Sequence, residues 1–168
     1  MRIMPEGIDL PDMRQLVHEH FEEMVAMSAP EITGALHVVR FADSSITLFG
    51  LRESGNLLAC GALKDLGDGT VELKTMRVVE EARGRGIGAI MLEHLMDEAT
   101  RRNYVRAYLE TGSEDFFIPA RRLYLSHGFV ECGPFAEYKV DPHSVFMCRE
   151  LTNAAGVTMA EPGASGNE

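Results

Sequence analysis

A glycine-rich turn that carries two arginines is the segment of this sequence best suited to chemistry with an anion. It spans residues 83–88, Arg-Gly-Arg-Gly-Ile-Gly, between a strand-like segment at 71–79 and a helix-like segment from residue 89. The start of a helix presents unpaired N–H groups and the positive end of the helix dipole, which together favour a phosphate. The glycines let the backbone curl and let a ligand approach without a Cβ in the way, while Arg83 and Arg85 add forked donors. The turn therefore predicts a phosphate-binding site.

The spacing within the turn narrows the choice of phosphate ligand. A P-loop would end in Gly-Lys-Ser/Thr, whereas Gly86-Ile87-Gly88 runs into Ala89. A dinucleotide fingerprint, Gly-x-Gly-x-x-Gly, would place its third glycine at Ala89 or Met91. Alanine is sometimes tolerated there, so a doubly wound nucleotide-binding domain remains a rival interpretation.

The pattern Arg83-x-x-Gly86-x-Gly88 after a strand resembles the pyrophosphate motif of the GNAT superfamily, the GCN5-related N-acetyltransferases. Further along the chain, Leu123-Tyr124-Leu-Ser-His-Gly128-Phe129 resembles the Leu-Tyr-x-x-x-Gly-Phe motif of the same family. The segments 27–31 and 134–147 are similar to a bacterial subgroup of small acetyltransferases, the YsnE-like proteins. The resemblance covers residues 1–151.

The resemblance implies a GNAT fold of the α/β (α+β) class. Its central sheet is mixed and mostly antiparallel, with about six to seven strands, about four flanking helices and a splay between the fourth and fifth strands. Hydrophobic periodicity and turn residues predict helices at 11–27, 31–41, 89–102 and 116–126, the last capped by Asp115, and strands at 2–8, 45–52, 57–64, 71–79, 105–110, 130–132 and 144–151. Residues 1–151 are predicted to form one domain and the polar segment 152–168 a disordered tail.

The family's cosubstrate, acetyl-CoA, supplies the expected phosphate. The resemblance implies that its pyrophosphate is held by Arg83, Gly84, Arg85, Gly86, Ile87 and Gly88. The pantetheine arm would enter the splay and pair with the free strand edge at Met76, Arg77 and Val78. Many members carry an asparagine seven residues before the tyrosine, and that position is Phe117 here. Thr111 or Ser113 is the alternative source of this polar contact with the coenzyme.

Acetyl transfer to an amine requires a neutral amine, a donor for the oxyanion and a proton for the leaving thiolate. The resemblance implies the Val78 N–H for the oxyanion, Tyr124 as general acid and Glu72, eleven residues before Arg83, as base. Strand alternation predicts Glu72, Lys74 and Met76 on one face, with Leu73, Thr75 and Arg77 on the other.

Several alternatives to these roles stay open in the sequence. Tyr124 could simply pack under the sheet, and Glu72 could pair with Lys74 and be a poor base. Glu110 is a second carboxylate close to the expected cleft, suited to bind a positively charged acceptor. The resemblance also places Phe135, Tyr138 and His143 beside the acceptor pocket.

Composition limits the class of partner. The net charge is −10, with 26 acidic and 16 basic residues, which argues against a general nucleic-acid binder and agrees with a cationic amine acceptor. No apolar run approaches membrane-spanning length and no signal peptide is apparent, so a cytoplasmic protein without a membrane partner is expected. The three cysteines and six histidines show no ligand spacing, so reduced thiols and no metal are predicted.

These observations predict an acetyl-CoA-dependent N-acetyltransferase that acts on the primary amine of a small molecule by direct attack in a ternary complex. The alternative is a non-catalytic acyl-CoA-binding module that regulates another protein. The resemblance also allows a homodimer. The acceptor itself is not identified by the sequence, because the segments that line the pocket in this fold are its variable ones.

Overall fold

The computed structural model describes residues 1–27 and 43–151. Within them the strands are β1 (Arg2–Pro5), β2 (Ile46–Glu53), β3 (Asn56–Asp65), β4 (Thr70–Val78), β5 (Arg106–Gly112), β6 (Val130–Cys132) and β7 (Ser144–Glu150). The α-helices are α1 (Pro11–Met27), α2 (Ile87–Arg101) and α3 (Ile118–Ser126). Short 3-10 turns at Glu80–Ala82 and Asp115–Phe117 precede α2 and α3. The predicted helix at 31–41 and the predicted tail at 152–168 lie outside the described residues.

All seven strands form one sheet in the order β1-β2-β3-β4-β5-β7-β6. Every neighbouring pair is antiparallel except β4 and β5, which run parallel. The predicted mixed, mostly antiparallel sheet is therefore confirmed. None of the helices in the described ranges is long and apolar enough to cross a membrane.

Helices cover the two faces of the sheet. On one face α1 buries Met13, Leu16 and Val17 against Leu48, Cys60 and Ala62 of β2 and β3. On the other face α2 buries an apolar stripe that includes Met91, Leu92 and Leu95, as its helical periodicity predicts. Gly61 of β3 allows this close approach, since a Cβ there would lie 2.7 Å from a methyl carbon of Leu95. The two layers thus bury the centre of the sheet on both faces.

The parallel pair opens into a gap. β4 and β5 pair only where Thr70, Val71 and Glu72 lie beside Arg106, Ala107 and Tyr108. Beyond Glu72, β4 remains paired with β3, and β5 with β7. This is the predicted splay between the fourth and fifth strands, and Glu72 occupies the last paired position before it.

A β-bulge interrupts β4 inside the gap. Thr75 and Met76 together lie opposite the single residue Gly61, and Thr75 has a φ of 51°. The bulge reverses the alternation of side chains, so Met76 packs with Leu73 against the α2 layer, and Arg77 reaches α1. The prediction of Met76 on the face of Glu72, and of Arg77 on the opposite face, was wrong for this reason.

The beginning of α3 also differs from the prediction. The residue that precedes α3 is Phe117, at the end of a 3-10 turn, and no side chain caps the helix, so Asp115 is not the cap. Pro119 lies in the first turn, and Gly128, with a φ of 85°, follows the end of α3 as expected.

Candidate active site

The glycine loop at residues 83–88 has the backbone that its sequence predicts. Gly84 and Gly86 have φ values of 76° and 75°, a region that residues with a Cβ rarely occupy. A Cβ built on either glycine would meet nothing within 4 Å. The amides of residues 84–89 donate no hydrogen bond within the described ranges, although Ile90 N–H already donates to Gly86 O. The loop therefore offers open space and free donors at the start of α2.

The two arginines of the loop lie beside carboxylates at the surface. Arg85 Nη2 is 2.9 Å from Glu53 Oε2, and Arg83 Nη2 is 4.0 Å from Glu23 Oε1. Both arginine side chains are nearly half exposed, at 45% and 48%. Exposed pairs of this kind are worth about 0–1 kcal/mol, so a phosphate could replace either carboxylate at small cost.

A third arginine, Arg77 on β4, shares Glu23 with Arg83. Arg77, whose side chain is 10% exposed, donates from Nη2 to Glu23 Oε1 of α1 at 2.9 Å and from Nη1 to Glu23 Oε2. This bonding lowers the pKa of Glu23 below its usual range. Glu23 therefore joins α1 to both Arg77 and Arg83, a role that no sequence pattern indicated, since 54 residues separate Glu23 from Arg77.

The free edge of β4 continues from this loop into the gap. Val79 N–H donates to Leu58 O of β3 at 2.9 Å. Because successive N–H groups of a strand point to opposite sides, the Val78 N–H is directed away from β3, toward the gap. The Cγ2 of Val78 lies 3.7 Å from the position that a Cβ on Gly88 would take, so strand edge and loop form one continuous surface.

Glu72 lies at the closed end of the gap and is 3% exposed. Its Oε1 accepts hydrogen bonds from Tyr138 Oη at 2.6 Å and from Lys74 Nζ at 3.2 Å. The Lys74 ammonium also lies 3.2 Å from Tyr138 Oη, so the three groups form a closed network. The pairing of Glu72 with Lys74, left open as an alternative in the sequence, is thus present. The second carboxylate oxygen, Oε2, makes no hydrogen bond with the described part of the chain.

Four aromatic rings form a cluster next to Glu72. The Phe135 ring stacks on Tyr108, with centroids 4.7 Å apart, and contacts Tyr138 at 4.9 Å. Phe146 of β7 packs against Phe135 and Tyr138 at 5.9 Å and 5.7 Å. We call Tyr108, Phe135, Tyr138 and Phe146 the aromatic cluster. Two of the three predicted acceptor-side residues, Phe135 and Tyr138, therefore lie at the closed end of the gap.

The third predicted acceptor-side residue and the second carboxylate lie elsewhere. His143 Nδ1 is 3.1 Å from Glu114 Oε1, in an exposed pair beyond the end of β5. Glu110, on β5 past the point of divergence, accepts a hydrogen bond from Ser144 Oγ at 2.7 Å. Glu110 is exposed and Glu72 is buried, so their chemical environments differ strongly.

Tyr124 of α3 is buried in the α2 layer. Its ring meets Phe129 edge-on, with centroids 5.9 Å apart. Its hydroxyl makes no hydrogen bond with residues 1–27 or 43–151. Burial raises the pKa of Tyr124 to about 12, so its hydroxyl remains protonated throughout the neutral range. The structure therefore leaves this hydroxyl as a protonated, unused donor.

The end of β5 holds the residues considered for the polar contact that an asparagine makes in many family members. The Phe117 ring packs directly on Gly112, where a Cβ would come within 2.1 Å of it. Arg121 of α3 fixes the same turn by donating to Gly112 O at 2.6 Å. Ser113 Oγ already donates to Pro142 O, whereas the Thr111 hydroxyl has no hydrogen bond within the described residues. Of the two alternatives, Thr111 is therefore the better placed polar group.

The described residues contain no group of three or more His, Cys, Asp or Glu that could hold a metal ion. All three cysteines are free, and burial raises the pKa of the Cys60 thiol to about 12. Burial, together with a hydrogen bond to Cys148, raises the pKa of Cys132 to about 11. Both thiols are therefore weak nucleophiles at neutral pH.

The glycine loop, the gap and Tyr124 all lie within one segment of the chain that matches a family of known proteins. The profile of the Acetyltransferase (GNAT) family matches residues 10–129, from α1 through Phe129. The chain belongs to the GNAT family of acetyltransferases. It is therefore an acyltransferase, which disfavours the non-catalytic alternative. GNAT enzymes use acetyl-CoA, and their acceptors are amines of small molecules or proteins.

Relatives support a bacterial subgroup of the GNAT family. The uncharacterized N-acetyltransferase YsnE of Bacillus subtilis is 43% identical over 136 residues, covering 81% of this chain and 90% of YsnE. The uncharacterized N-acetyltransferase YedL of Escherichia coli is 37% identical over 149 residues, covering 89% and 94%. An acetyltransferase structure from Streptococcus agalactiae, only 17% identical, has a TM-score of 0.71 and covers 89% and 98% of the two chains. The GNAT fold is thus shown by structure as well as by sequence.

Proposed function

We propose that this GNAT protein transfers the acetyl group of acetyl-CoA to a primary amine of a small molecule, by direct attack in a ternary complex. The observation that carries the proposal is the set of free amides at residues 84–89, which open beside the gap that ends at Glu72. One ligand could therefore bind its diphosphate at the loop and extend its acyl end along β4 toward a buried carboxylate.

The residues of the loop fit the coenzyme's diphosphate. The amides of Gly84 to Gly88 supply donors, the start of α2 supplies a partial positive charge, and Arg83 and Arg85 supply full charges. The backbone of Met76, Arg77 and Val78 supplies the edge for the pantetheine arm. Thr111 supplies a hydroxyl near the end of β5, and Phe117 supplies apolar surface only.

Glu72 is the base in this proposal. The nitrogen of the neutral amine attacks the thioester carbonyl, a C–N bond forms, and the carbonyl oxygen becomes an oxyanion that the Val78 N–H stabilises. The proton lost by the nitrogen passes to Glu72, directly or through a water. Collapse of the intermediate breaks the C–S bond and gives the amide and the thiolate of CoA.

Tyr124 supports departure of the thiolate. Its pKa of about 12 lies well above the value of about 8.5 for an ordinary thiol, so full proton transfer from the free tyrosine to sulfur is uphill. A hydrogen bond from the hydroxyl to the developing thiolate requires no such transfer and still favours C–S cleavage. The raised pKa also keeps the donor protonated over the whole working pH range.

A covalent route through an acetyl-cysteine is disfavoured. Cys60 is fully buried in the α1 layer, and Cys132 and Cys148 lie on β6 and β7 rather than in the gap. The raised pKa values of Cys60 and Cys132 further reduce their thiolate fractions. Direct attack by the amine, unlike the acetyl-cysteine route, requires no cysteine to move into the gap or to lose its proton.

The proposal is tested by calorimetry with CoA and by thiol release from acetyl-CoA with a panel of small amines. We expect binding of CoA, and thiol release that depends on an amine. Arg83→Ala should weaken CoA binding about 10-fold, because a charged donor to phosphate is lost, with little change in kcat at saturating acetyl-CoA. No heat with CoA, or amine-independent release only, would contradict the proposal.

Tyr124→Phe tests the donor to the thiolate. Loss of a hydrogen bond to a charged group is expected to lower kcat by about 10- to 100-fold, with CoA affinity unchanged. The wild-type rate should show no loss from Tyr124 ionisation below about pH 11, because the folded pKa is about 12. Equal turnover of variant and wild type would remove Tyr124 from the mechanism.

A further inference from the structure

A hydrogen bond at the closed end of the gap joins two residues that are 66 positions apart. Tyr138 Oη donates to Glu72 Oε1 at 2.6 Å, the shorter of the two hydrogen bonds that this carboxylate accepts from the described residues. Both contacts use Oε1. The carboxylate is therefore held by one edge, and Oε2 is the oxygen without a hydrogen bond among the described residues.

The position of the Tyr138 hydroxyl is fixed by the aromatic cluster. Tyr138 belongs to the connection between β6 and β7, two strands that lie beyond β5 as seen from Glu72 on β4. The Phe135 ring fills the space between Tyr138 and Tyr108, and Tyr108 is the residue directly beside Glu72 in the parallel pairing. Phe146 packs against the Tyr138 ring from β7. Ring contacts with Phe135 and Phe146 thus hold the Tyr138 hydroxyl against one carboxylate oxygen.

We infer that Tyr138 is a positioning residue for the base of the acetyl-transfer reaction: its hydroxyl holds Glu72 Oε1, so that Oε2 receives the proton of the attacking amine. This inference rests on the proposed function. A buried carboxylate needs hydrogen-bond donors to remain ionised, and a base must be held in one orientation to be effective. Lys74 supplies the balancing charge, whereas Tyr138 fixes the orientation of the Glu72 carboxylate.

Four titratable side chains from the described residues neighbour Glu72 on three elements of the sheet and one connection. Lys74 follows it on β4 and Lys64 lies opposite it on β3. Tyr108 lies beside it on β5, and Tyr138 reaches it from the β6–β7 connection. Glu110 is two residues beyond Tyr108 and bonds to Ser144. On the α1 side, the nearest charged pair on β4 is Arg77 with Glu23. Substitution of Tyr138 by phenylalanine removes only the hydroxyl, with its contacts to Glu72 Oε1 and Lys74 Nζ, and leaves the other groups in place.

Tyr138→Phe removes the hydroxyl and keeps the ring in the aromatic cluster. We expect kcat to fall about 10- to 100-fold with CoA binding unchanged. The acidic limb of the pH–rate profile should move to higher pH, because the ionised carboxylate loses a donor that favours it. The matched control is Tyr104→Phe, which removes a tyrosine hydroxyl at the start of β5, away from the gap, and should leave both readouts unchanged.

A second measurement does not depend on turnover. In protein labelled with ¹³C at glutamate side chains, the signal lost in Glu72→Gln identifies Glu72, and its titration midpoint should rise in Tyr138→Phe. An unchanged midpoint and an unchanged acidic limb would overturn the inference, as would a loss of thermal stability without a change in either. If the wild type transfers acetyl to no amine, the proposed function fails, whereas the NMR titration still decides whether Tyr138 governs Glu72.

Discussion

Replacing Glu72 with glutamine is expected to lower kcat by about 10²- to 10⁴-fold, the range that removal of a general base usually causes. Glutamine keeps the shape of the side chain and can still accept hydrogen bonds from Tyr138 and Lys74 at its carbonyl oxygen, so the fold should persist. It cannot take a proton from the amine. The binding of CoA should not change, because the glycine loop lies at the other end of β4.

The measurement is steady-state thiol release with the best amine of the panel, accompanied by calorimetry with CoA. Glu110→Gln is the comparison variant, since Glu110 is the second carboxylate that the sequence placed close to the cleft. A large loss confined to Glu110→Gln would assign the base to Glu110. Full activity of both variants would contradict catalysis by either carboxylate and favour a water chain without a protein base.

Gly86→Ala is expected to weaken CoA binding about 10-fold or more, equivalent to about 1.4 kcal/mol of binding free energy. The new Cβ would enter the open space beside the free amides, where the diphosphate is proposed to lie. Alanine at a φ of 75° also costs about 1–2 kcal/mol of folding free energy, so Tm should fall by about 2–8 °C.

Gly67→Ala separates these two effects. Gly67 has a φ of 86° and, like Gly86, open space around its absent Cβ, but it lies in the turn between β3 and β4. Both variants should lose similar stability in a thermal melt, and only Gly86→Ala should lose CoA affinity in calorimetry. Equal CoA affinities in the two variants would show that the loop does not bind the diphosphate.

The sequence predicted the structural features that depend on residues close together in the chain or on motifs of the family. The glycines and arginines of residues 83–88 are consecutive, so their turn and the helix after it can be read directly. The splay followed from resemblance to the family, as did the offset of Glu72 from Arg83. Helix α1 was predicted with its observed limits, because its apolar residues recur at helical spacing up to Met27.

The features that the sequence did not predict depend on distant residues. The predicted alternation of side chains breaks at Thr75, because Thr75 and Met76 together lie opposite the single residue Gly61. Such a bulge depends on the paired strand, which the local sequence of β4 does not show. The contacts of Glu72 with Tyr138 and of Arg77 with Glu23 join segments 66 and 54 residues apart, which no local spacing links. Asp115 is a residue type that often caps a helix. Here Phe117 packs on Gly112, and α3 begins only after it, at Ile118.

The bulge at Thr75 makes the local geometry of β4 as important as its composition. If β4 passed through Thr75 as a regular strand, every downstream side chain would turn over: Met76 would replace Arg77 beside α1, and Arg77 would enter the apolar layer under α2. The alternation of side chains thus shifts by one residue between the half of β4 that carries Glu72 and the half that borders the glycine loop. A chimera that joins one half of β4 to the other half from a relative must keep this shift, so that Arg77 still reaches Glu23 and Met76 still packs under α2.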